Sequence, residues 1–184
     1  MHDILFVLWF FAPAGYANLA PVLANNVPLI NKFSQPVDFG KTFRGKRILG
    51  DHKTFRGFAA GTVMGLFVAL IQMVAYQNSA FIRDVSGSID YSRPVYLLMG
   101  AALGFGALFG DSVKSFFKRQ VGVEPGKSWI PFDQIDFILG GILFSLPFAF
   151  LGLRLYILVV VVMALLHPIV NLTGWLLKLK ENPF

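Results

Sequence analysis

The chain alternates between long apolar stretches and shorter polar segments, a pattern typical of a protein that crosses a membrane several times. A transmembrane helix needs roughly 20 mainly apolar residues to cross about 30 Å of hydrocarbon. Five stretches approach this length: residues 4–24, 57–76, 94–110, 137–152 and 155–177. The pattern therefore predicts an all-α integral membrane protein with about five transmembrane helices, organised as a single domain over residues 1–184.

The last two predicted spans come from one apolar run, residues 137–177. A single helix of that length would be about 60 Å long, twice the thickness of the hydrocarbon core. Two antiparallel helices fit better, and Gly152 and Arg154 mark the predicted turn between them. The first span resembles a secretory signal, but His2 and Asp3 stand where a signal carries basic residues, so we predict a retained helix.

Composition supports the membrane class. Hydrophobic residues make up 55% of the 184 residues and charged residues only 14%, whereas a soluble domain carries about 25% charged residues. The chain has no cysteine, which excludes disulfides, thiolate metal sites and cysteine nucleophiles. A net charge of +6 would suit nucleic-acid binding in a soluble protein. In so apolar a chain it bears on membrane orientation instead, and we predict no nucleic-acid partner.

Most basic residues lie on one predicted face of the membrane. Five spans place the polar loops 25–56 and 111–136 and the C-terminus on the same side, which holds 13 of the 16 basic residues. The positive-inside rule then places the N-terminus outside the cell, and both loops and the C-terminus in the cytoplasm. The residues on that face are Lys32, Lys41, Arg44, Lys46, Arg47, Lys53, Arg56, Lys114, Lys118, Arg119, Lys127, Lys178 and Lys180.

Glycines recur every four residues within the spans. Small residues at this spacing let helix backbones approach closely. We interpret them as packing glycines within one chain, and a homodimer interface is the alternative. They are Gly57, Gly61 and Gly65, Gly100 and Gly104, and Gly106 and Gly110.

The first cytoplasmic loop contains a short internal repeat, in which Lys-Thr-Phe-Arg-Gly at 41–45 returns at 53–57. Each copy offers two cations, a hydroxyl group and a glycine that permits close backbone approach, which are the parts of a phosphate-binding segment. The glycine spacing of a P-loop is missing. A basic patch that holds anionic lipid headgroups is the alternative, and a lipid phosphate as substrate would partly unite the two interpretations.

The second loop carries charged residues at helical spacing. Asp111, Ser115 and Lys118 stand at i, i+4 and i+7, so they share one face if the third helix continues past the membrane. Asp133 and Asp136 stand at i and i+3 and also share a face at the start of the fourth span. Lys114 lies close to the first of these stripes.

Carboxylates at the mouths of membrane spans are costly to place near hydrocarbon, which makes Asp111, Asp133 and Asp136 candidates for a functional site. Together with water and substrate phosphates, such side chains are the usual ligands of Mg²⁺. A capping role would account for Asp133 alone, and pairing with Lys and Arg without a metal is the open alternative. No partner at metal-ligand spacing accompanies His52 or His167, so a zinc site has no support and His167 is interpreted as structural.

Cationic loops beside clustered carboxylates favour phosphoryl or nucleotidyl transfer, because charge there spreads over phosphate oxygens that the protein must stabilise. A membrane location indicates that one substrate is a lipid. Two alternatives from other classes are a structural lipid-binding protein and a small transporter for anionic solutes. The transporter would need polar residues deep inside the spans, and the candidates are Asn18, Gln72, His167 and Asn171.

Both loops resemble those of a known enzyme family. The second loop resembles the signature of membrane CTP:phosphatidate cytidylyltransferases, the CDP-diacylglycerol synthases. The first-loop segment 49–57 resembles the motif of the small archaeal-type branch, the CDP-archaeol synthases, which also have about this length and five spans. The matching second-loop positions are Gly110-Asp111, Ser115-x-x-Lys118-Arg119, Gly122-Val123, Pro131 and Asp133-Gln-x-Asp136.

The resemblance implies transfer of CMP from CTP to a membrane glycerol phosphate that bears two lipid tails, with Mg²⁺ as cofactor and pyrophosphate as the second product. In the archaeal-type branch the acceptor is 2,3-bis-O-(geranylgeranyl)-sn-glycerol 1-phosphate, and phosphatidate is the alternative. The implied metal ligands are Asp111, Asp133 and Asp136, which form the catalytic centre with Lys118. The implied phosphate-binding residues are Lys53, Thr54, Arg56, Ser115 and Arg119.

Two departures favour the archaeal-type branch. The bacterial synthases carry a longer Gly-His-Gly-Gly stretch before their final aspartates, whereas Pro131-Phe132 stands directly before Asp133 here. They also usually have arginine at the position of Gln134. His52 stands where a small residue is expected and receives no role.

Overall fold

Capping residues, prolines and glycines delimit the helices of the structure, a computed structural model that describes residues 2–25, 33–124 and 127–176. Thr54 accepts a hydrogen bond from Gly57 N at 3.1 Å and begins α2, and Ser79 caps α3 in the same way. The elements in chain order are α1 (His2–Asn25), β1 (Thr42–Phe43), β2 (Lys46–Arg47), α2 (Phe55–Asn78), α3 (Ala80–Val85), α4 (Val95–Gln120), α5 (Phe132–Ser145) and α6 (Leu153–Leu176).

The all-α membrane class is confirmed. Among the described residues, four helices are long and apolar enough to cross a membrane, namely α1, α2, α4 and α6. Each of the five predicted spans corresponds to a helix, and the short helix α3 is an addition that the sequence pattern did not predict. Three of the predicted cytoplasmic cations, Lys32, Lys178 and Lys180, lie outside the described residues, as does residue 177 of the fifth span.

The predicted bounds of the fourth span, 137–152, are wrong. Helix α5 begins five residues earlier, at Phe132, and ends at Ser145. Its 14 residues rise about 21 Å, less than the hydrocarbon thickness. Pro147 explains the early end, because proline disfavours a helical residue before it and lacks the N–H that a continuing helix needs.

Helix α4 continues well past residue 110, where the third span was predicted to end, and reaches Gln120. The third helix therefore continues past the membrane, as the predicted shared face of Asp111, Ser115 and Lys118 requires. Asp111, Lys114 and Lys118 lie on successive turns of one regular helix, with the last two near its C-terminal end.

Glycines set the distances between α4 and its two neighbours. Helix α4 packs against α2 and α5. A Cβ atom at Gly65 of α2 would overlap the carbonyl oxygen of Gly100, and one at Gly140 of α5 would overlap that of Gly106. Because the obstructing atoms are backbone, side chains cannot make room. These contacts confirm packing glycines within one chain, whereas a homodimer stays a prediction.

Helix α1 lies at the centre of the bundle and contacts α2, α4, α5 and α6. Its side chains Val7, Phe10 and Phe11 are fully buried. They pack in one cluster with Leu103 of α4 and Ile138 of α5. Large apolar side chains on the outer surfaces of α2 and α6 are exposed, as expected where a helix faces lipid tails.

The two copies of Lys-Thr-Phe-Arg-Gly fold differently. The first copy supplies β1 and the turn of an antiparallel hairpin whose second strand, β2, follows it, and Arg44 and Gly45 lie in the left-handed region at that turn. The second copy caps α2 through Thr54 and supplies its first turn. The repeat in sequence is therefore not a repeat in structure. Both copies contact α4, the first through Phe43 against Phe116 and the second through Lys53 against Asp111.

Candidate active site

Two helices carry the acidic residues to one place. Asp111 lies on α4, and Asp133 and Asp136 lie in the first turns of α5. The helix backbones nearly touch here, since a Cβ atom at Gly110 would overlap the carbonyl oxygen of Asp136. This approach brings carboxylates from two separate helices onto one lysine.

The shared lysine is Lys114. Its Nζ lies 3.0 Å from Asp111 Oδ1, 2.9 Å from Asp133 Oδ1 and 2.5 Å from Asp136 Oδ2. Only 13% of the Lys114 side chain and 6% of the Asp136 side chain are exposed. Buried charges of this kind are held only when they are paired and hydrogen-bonded. We define the carboxylate cluster as Asp111, Asp133 and Asp136 around Lys114.

Further donors fix two of the carboxylates. The Lys118 Nζ lies 3.2 Å from Asp133 Oδ1, and the Trp129 backbone N–H donates to Asp133 Oδ2. The Phe137 backbone N–H donates to Asp136 Oδ1 at 2.6 Å. Asp133 and Asp136 are therefore held in fixed positions beside Lys114. A charge-stabilising site requires preorganisation of this kind.

The first loop reaches the same cluster through Lys53. Its ammonium forms an ion pair with Asp111 Oδ2, whereas Lys114 contacts the other oxygen, Oδ1. Thr54 follows directly and caps α2, so the cap that begins the helix also positions Lys53. The structure thus brings together five predicted residues, namely Lys53, Asp111, Lys118, Asp133 and Asp136.

The other predicted phosphate-binding residues lie apart from the cluster or are engaged elsewhere. Thr54 lines a neighbouring cavity, but its hydroxyl oxygen serves the helix cap. Ser115 Oγ donates to the backbone oxygen of Asp111 at 2.8 Å and is buried within α4. Arg119 lies beside Gly50 of the first loop, and Arg56 lines an apolar groove. Their assigned roles stay predictions.

The cluster opens into a polar cavity of about 240 Å³. Six of its lining residues were given no role in the predicted enzyme site, although Asn18, His167 and Asn171 are conspicuous as polar residues inside apolar spans. His167 stacks against Phe137, with ring centroids 5.6 Å apart, and also forms part of the cavity wall. The cavity-lining residues that sequence reasoning left out of the site are Asn18, Lys114, Lys127, Ser128, His167 and Asn171.

Two apolar grooves lie along the helices, and the second of them shares residues with the polar site. One, of about 860 Å³, runs between α1 and α2 and has Arg56 on its wall. The other, of about 560 Å³, runs between α4 and α5 and has Lys114 and Asp136 on its wall. Exposed side chains such as Phe117 and Leu139 border the second groove, so it is open on the side that faces lipid.

Asp38 holds the first loop in shape. Its buried carboxylate accepts hydrogen bonds from the Gly40, Leu49 and Gly50 backbone N–H groups at 3.0, 2.9 and 3.1 Å and from Arg47 Nη2 at 2.9 Å. Burial alone would raise the pKa of Asp38, but these donors outweigh it and hold the pKa well below its usual range. The loop that carries Lys53 is therefore closed around a fixed anion.

Asp38→Asn should loosen this loop, because the amide removes the charge and places a donor against backbone donors. Hydrogen bonds to a charged group contribute about 2 kcal/mol each, so losing one should speed tryptic cleavage at residues 41–47 about 30-fold. The pKa of Asp38 is lower in the folded protein than in the unfolded chain. Its contribution to folding stability is therefore complete above the unfolded pKa, about pH 4, and is lost as the pH falls through the folded pKa. The full increase in the rate of tryptic cleavage should therefore be seen at pH 7.

The matched control for this digestion is Asp51→Asn. Asp51 pairs with the same Arg47 at 2.8 Å but is 77% exposed, and exposed pairs contribute little. Equal cleavage rates for Asp38→Asn and the unsubstituted protein would contradict the assigned role of Asp38.

Oxygen donors of the kind that Mg²⁺ prefers are present, but they are arranged around an ammonium. In residues 2–25, 33–124 and 127–176, no three acidic or histidine side chains form a ready-made metal cluster. The three carboxylates nevertheless converge on one cation from two helices. The chemistry of the donor set fits a divalent cation, provided that Lys114 moves away.

Comparison with known proteins identifies the family of the chain. The family model described as CarS-like, CDP-archaeol synthase, matches residues 1–184. The CDP-archaeol synthase of Methanospirillum hungatei is 36% identical over 173 residues, covering 90% of this chain and 99% of the relative. That of Pyrococcus furiosus is 34% identical, and both chains are covered in full.

A solved structure is also similar. It is described as an intramembrane enzyme for the biosynthesis of archaeal membrane lipids, with a TM-score of 0.69 and 29% identity, covering 89% of this chain and 91% of the other. The match to the family model and the relatives extend over the first loop, α4 and α5, where the site lies. The chain belongs to the CDP-archaeol synthase family.

Proposed function

We propose that this protein transfers CMP from CTP to a membrane glycerol phosphate that bears two isoprenoid ether chains, releasing pyrophosphate. Family membership supports the reaction, since the relatives are named CDP-archaeol synthases. The observation that carries the proposal for this chain is the position of the carboxylate cluster. It lies between a polar cavity and an apolar groove that share Lys114 and Asp136.

This position suits two substrates of opposite character. The apolar groove between α4 and α5 accommodates a lipid tail, and its polar end leads to the lysines of the cluster. A phosphate headgroup at that end would meet positive charge, while a nucleotide would enter from the polar cavity. The two reactants would then meet at the cluster with their phosphates adjacent.

The chain's own residues supply charge stabilisation and positioning. Lys53 and Lys118 flank the cluster from the first loop and from α4, where their ammonium groups can neutralise charge on the triphosphate. The oxygen of the lipid phosphate attacks the α-phosphorus of CTP, and the bond to the pyrophosphate breaks. A phosphate monoester is already ionised near neutral pH, so no strong general base is needed.

We further propose Mg²⁺ as the cofactor, with Asp111, Asp133 and Asp136 as the residues that would hold it. Bound there, Mg²⁺ would neutralise charge on the nucleotide phosphates.

The topology that we propose places both polar loops and the C-terminus in the cytoplasm and the N-terminus outside, which the distribution of basic residues supports. CTP would then reach the cavity from the cytoplasm.

The test is an assay with radiolabelled CTP, Mg²⁺ and purified protein in detergent micelles. The acceptors to compare are 2,3-bis-O-(geranylgeranyl)-sn-glycerol 1-phosphate, phosphatidate and soluble glycerol 1-phosphate. We expect label in the lipid fraction with the first acceptor, and none after chelation of divalent cations.

Each outcome of the assay has a distinct meaning. Preference for phosphatidate would support the alternative acceptor within the same reaction. Transfer that persists after chelation would overturn the Mg²⁺ requirement only. No lipid labelling with any acceptor would overturn the proposed function. The transport alternative has lost its basis, because the family is one of synthases.

A further inference from the structure

Lys114 occupies the point at which the three carboxylates converge. It is the one described residue in contact with all three acids, at 2.5 to 3.0 Å. Lys53 contacts only Asp111, and Lys118 contacts only Asp133. Lys114 is the one charged partner of Asp136 among the described ion pairs, and the Phe137 backbone N–H is a neutral donor to the same carboxylate.

The cluster is already balanced in charge. Three carboxylates face three ammonium groups, those of Lys53, Lys114 and Lys118. A divalent cation that was added to this arrangement would meet an ammonium at the centre and be repelled by it at short distance. A cation can gain from the carboxylates only where an ammonium leaves, and the central one stands where three oxygens converge.

A cavity lies beside the lysine side chain. Its ammonium is carried on a flexible four-carbon stem. Lys114 lines the polar cavity of about 240 Å³ and also the apolar groove between α4 and α5. A change of side-chain rotamer would carry the ammonium from the carboxylates into the cavity, where we place the substrate phosphates.

We propose that Lys114 is a tethered cation that exchanges with the divalent metal ion. In the metal-free protein it holds the three carboxylates together and offsets their repulsion. When the metal enters, Lys114 moves off Asp133 and Asp136 and turns toward substrate phosphate. Lys114 is thus a positioning residue that sets the affinity for metal, and this inference rests on the divalent cation of the proposed function.

The test is metal binding in the absence of substrate. Mn²⁺ is titrated into purified protein in detergent, and free Mn²⁺ is followed by electron paramagnetic resonance. The variants are Lys114→Met, which removes the competing charge, and Lys114→Arg, which keeps it. Lys127→Met is the matched control, because it removes a cation from the cavity wall that has no ion pair with the cluster in the described structure.

We expect Lys114→Met to bind Mn²⁺ at least tenfold more tightly than the unsubstituted protein, and Lys114→Arg and Lys127→Met to stay within about threefold of it. Weaker or unchanged binding by Lys114→Met would overturn the exchange and make Lys114 a permanent partner of the acids. Equal tightening by Lys127→Met would overturn it as well, since general charge would then explain the effect.

Failure of the inference is distinguishable from failure of the proposed function. If no form of the protein binds Mn²⁺, the exchange is overturned, and the radiolabel assay decides separately whether CMP transfer occurs. If the unsubstituted protein binds Mn²⁺ and the Lys114 variants bind it with the same affinity, the proposed exchange is overturned and the proposed function is not affected.

A second measurement needs no variant and so does not depend on one folding. Brief acetylation of the unsubstituted protein with and without Mn²⁺, followed by mass spectrometry, compares the reactivity of individual lysines. Lys114 is largely buried, with 13% of its side chain exposed, so its labelling should be low without metal and rise several-fold with metal. The exposed Lys46 should not change. Unchanged labelling of Lys114 in protein that binds Mn²⁺ would overturn the proposal.

Discussion

Asp133→Asn is expected to lower the rate of CMP transfer at least about 100-fold, the loss typical when one preorganised charge-stabilising group is removed. Asparagine keeps the shape of the side chain but loses the charge that faces Lys114 at 2.9 Å and Lys118 at 3.2 Å. It also replaces one acceptor oxygen by a donor beside the N–H of Trp129. The measurement is kcat in the radiolabel assay at saturating Mg²⁺.

Loss of activity is informative only if the variant is folded. Removing one partner of a buried ion pair costs about 3–5 kcal/mol, so thermal unfolding and gel filtration should accompany the assay. Asp51→Asn is the matched control, because it removes an acid from the same polar face at an exposed position. A folded Asp133→Asn variant with more than a tenth of the original kcat would rule out an essential role.

Gly140→Ala is expected to lower the stability of the protein and its activity together. A Cβ atom at this position would overlap the backbone of Gly106 and Gly110, which no side-chain rotamer can relieve, so α4 and α5 must separate. Overpacking of this kind costs about 1–3 kcal/mol. Asp136 lies one turn before Gly140 on α5, and its 2.5 Å contact with Lys114 would be lost as the helices separate.

Gly15→Ala is the control for this experiment. A Cβ atom there would meet only the flexible end of Met163, at 3.4 Å. Both substitutions place alanine in a helix interior, where it is intrinsically favoured, so the difference between the two melting temperatures isolates the helix contact. Equal melting temperatures would show that α4 and α5 do not depend on this approach.

The sequence predicts much of the site because helical spacing is local. Asp111 and Lys118 share a face through the period of α4, and Asp133 and Asp136 share one through that of α5. Their meeting depends on the glycines between the two helices, whose spacing is also visible in the sequence. What spacing cannot assign is the partner of each charge. The central place of Lys114 became evident only from the structure.

Other parts of the site depend on contacts that leave no local pattern. Asn18 and His167 lie on helices at opposite ends of the chain, and only the packing of α1 against α6 brings them to one cavity. Identical pentapeptides fold as a hairpin and as a helix start, because Asp38 closes the loop around the first copy while Thr54 caps a helix at the second. In contrast, the end of α5 before Pro147 is a local signal that hydropathy alone overlooks.

The groove between α4 and α5 also affects how the acceptor finds the enzyme. Because the groove is open along its side and ends at Lys114 and Asp136, an acceptor can enter by sliding sideways within the leaflet. Its search is then confined to two dimensions, and its effective concentration is its mole fraction among the surrounding lipids. Product can leave by the same route, so neither lipid has to be extracted into water during turnover.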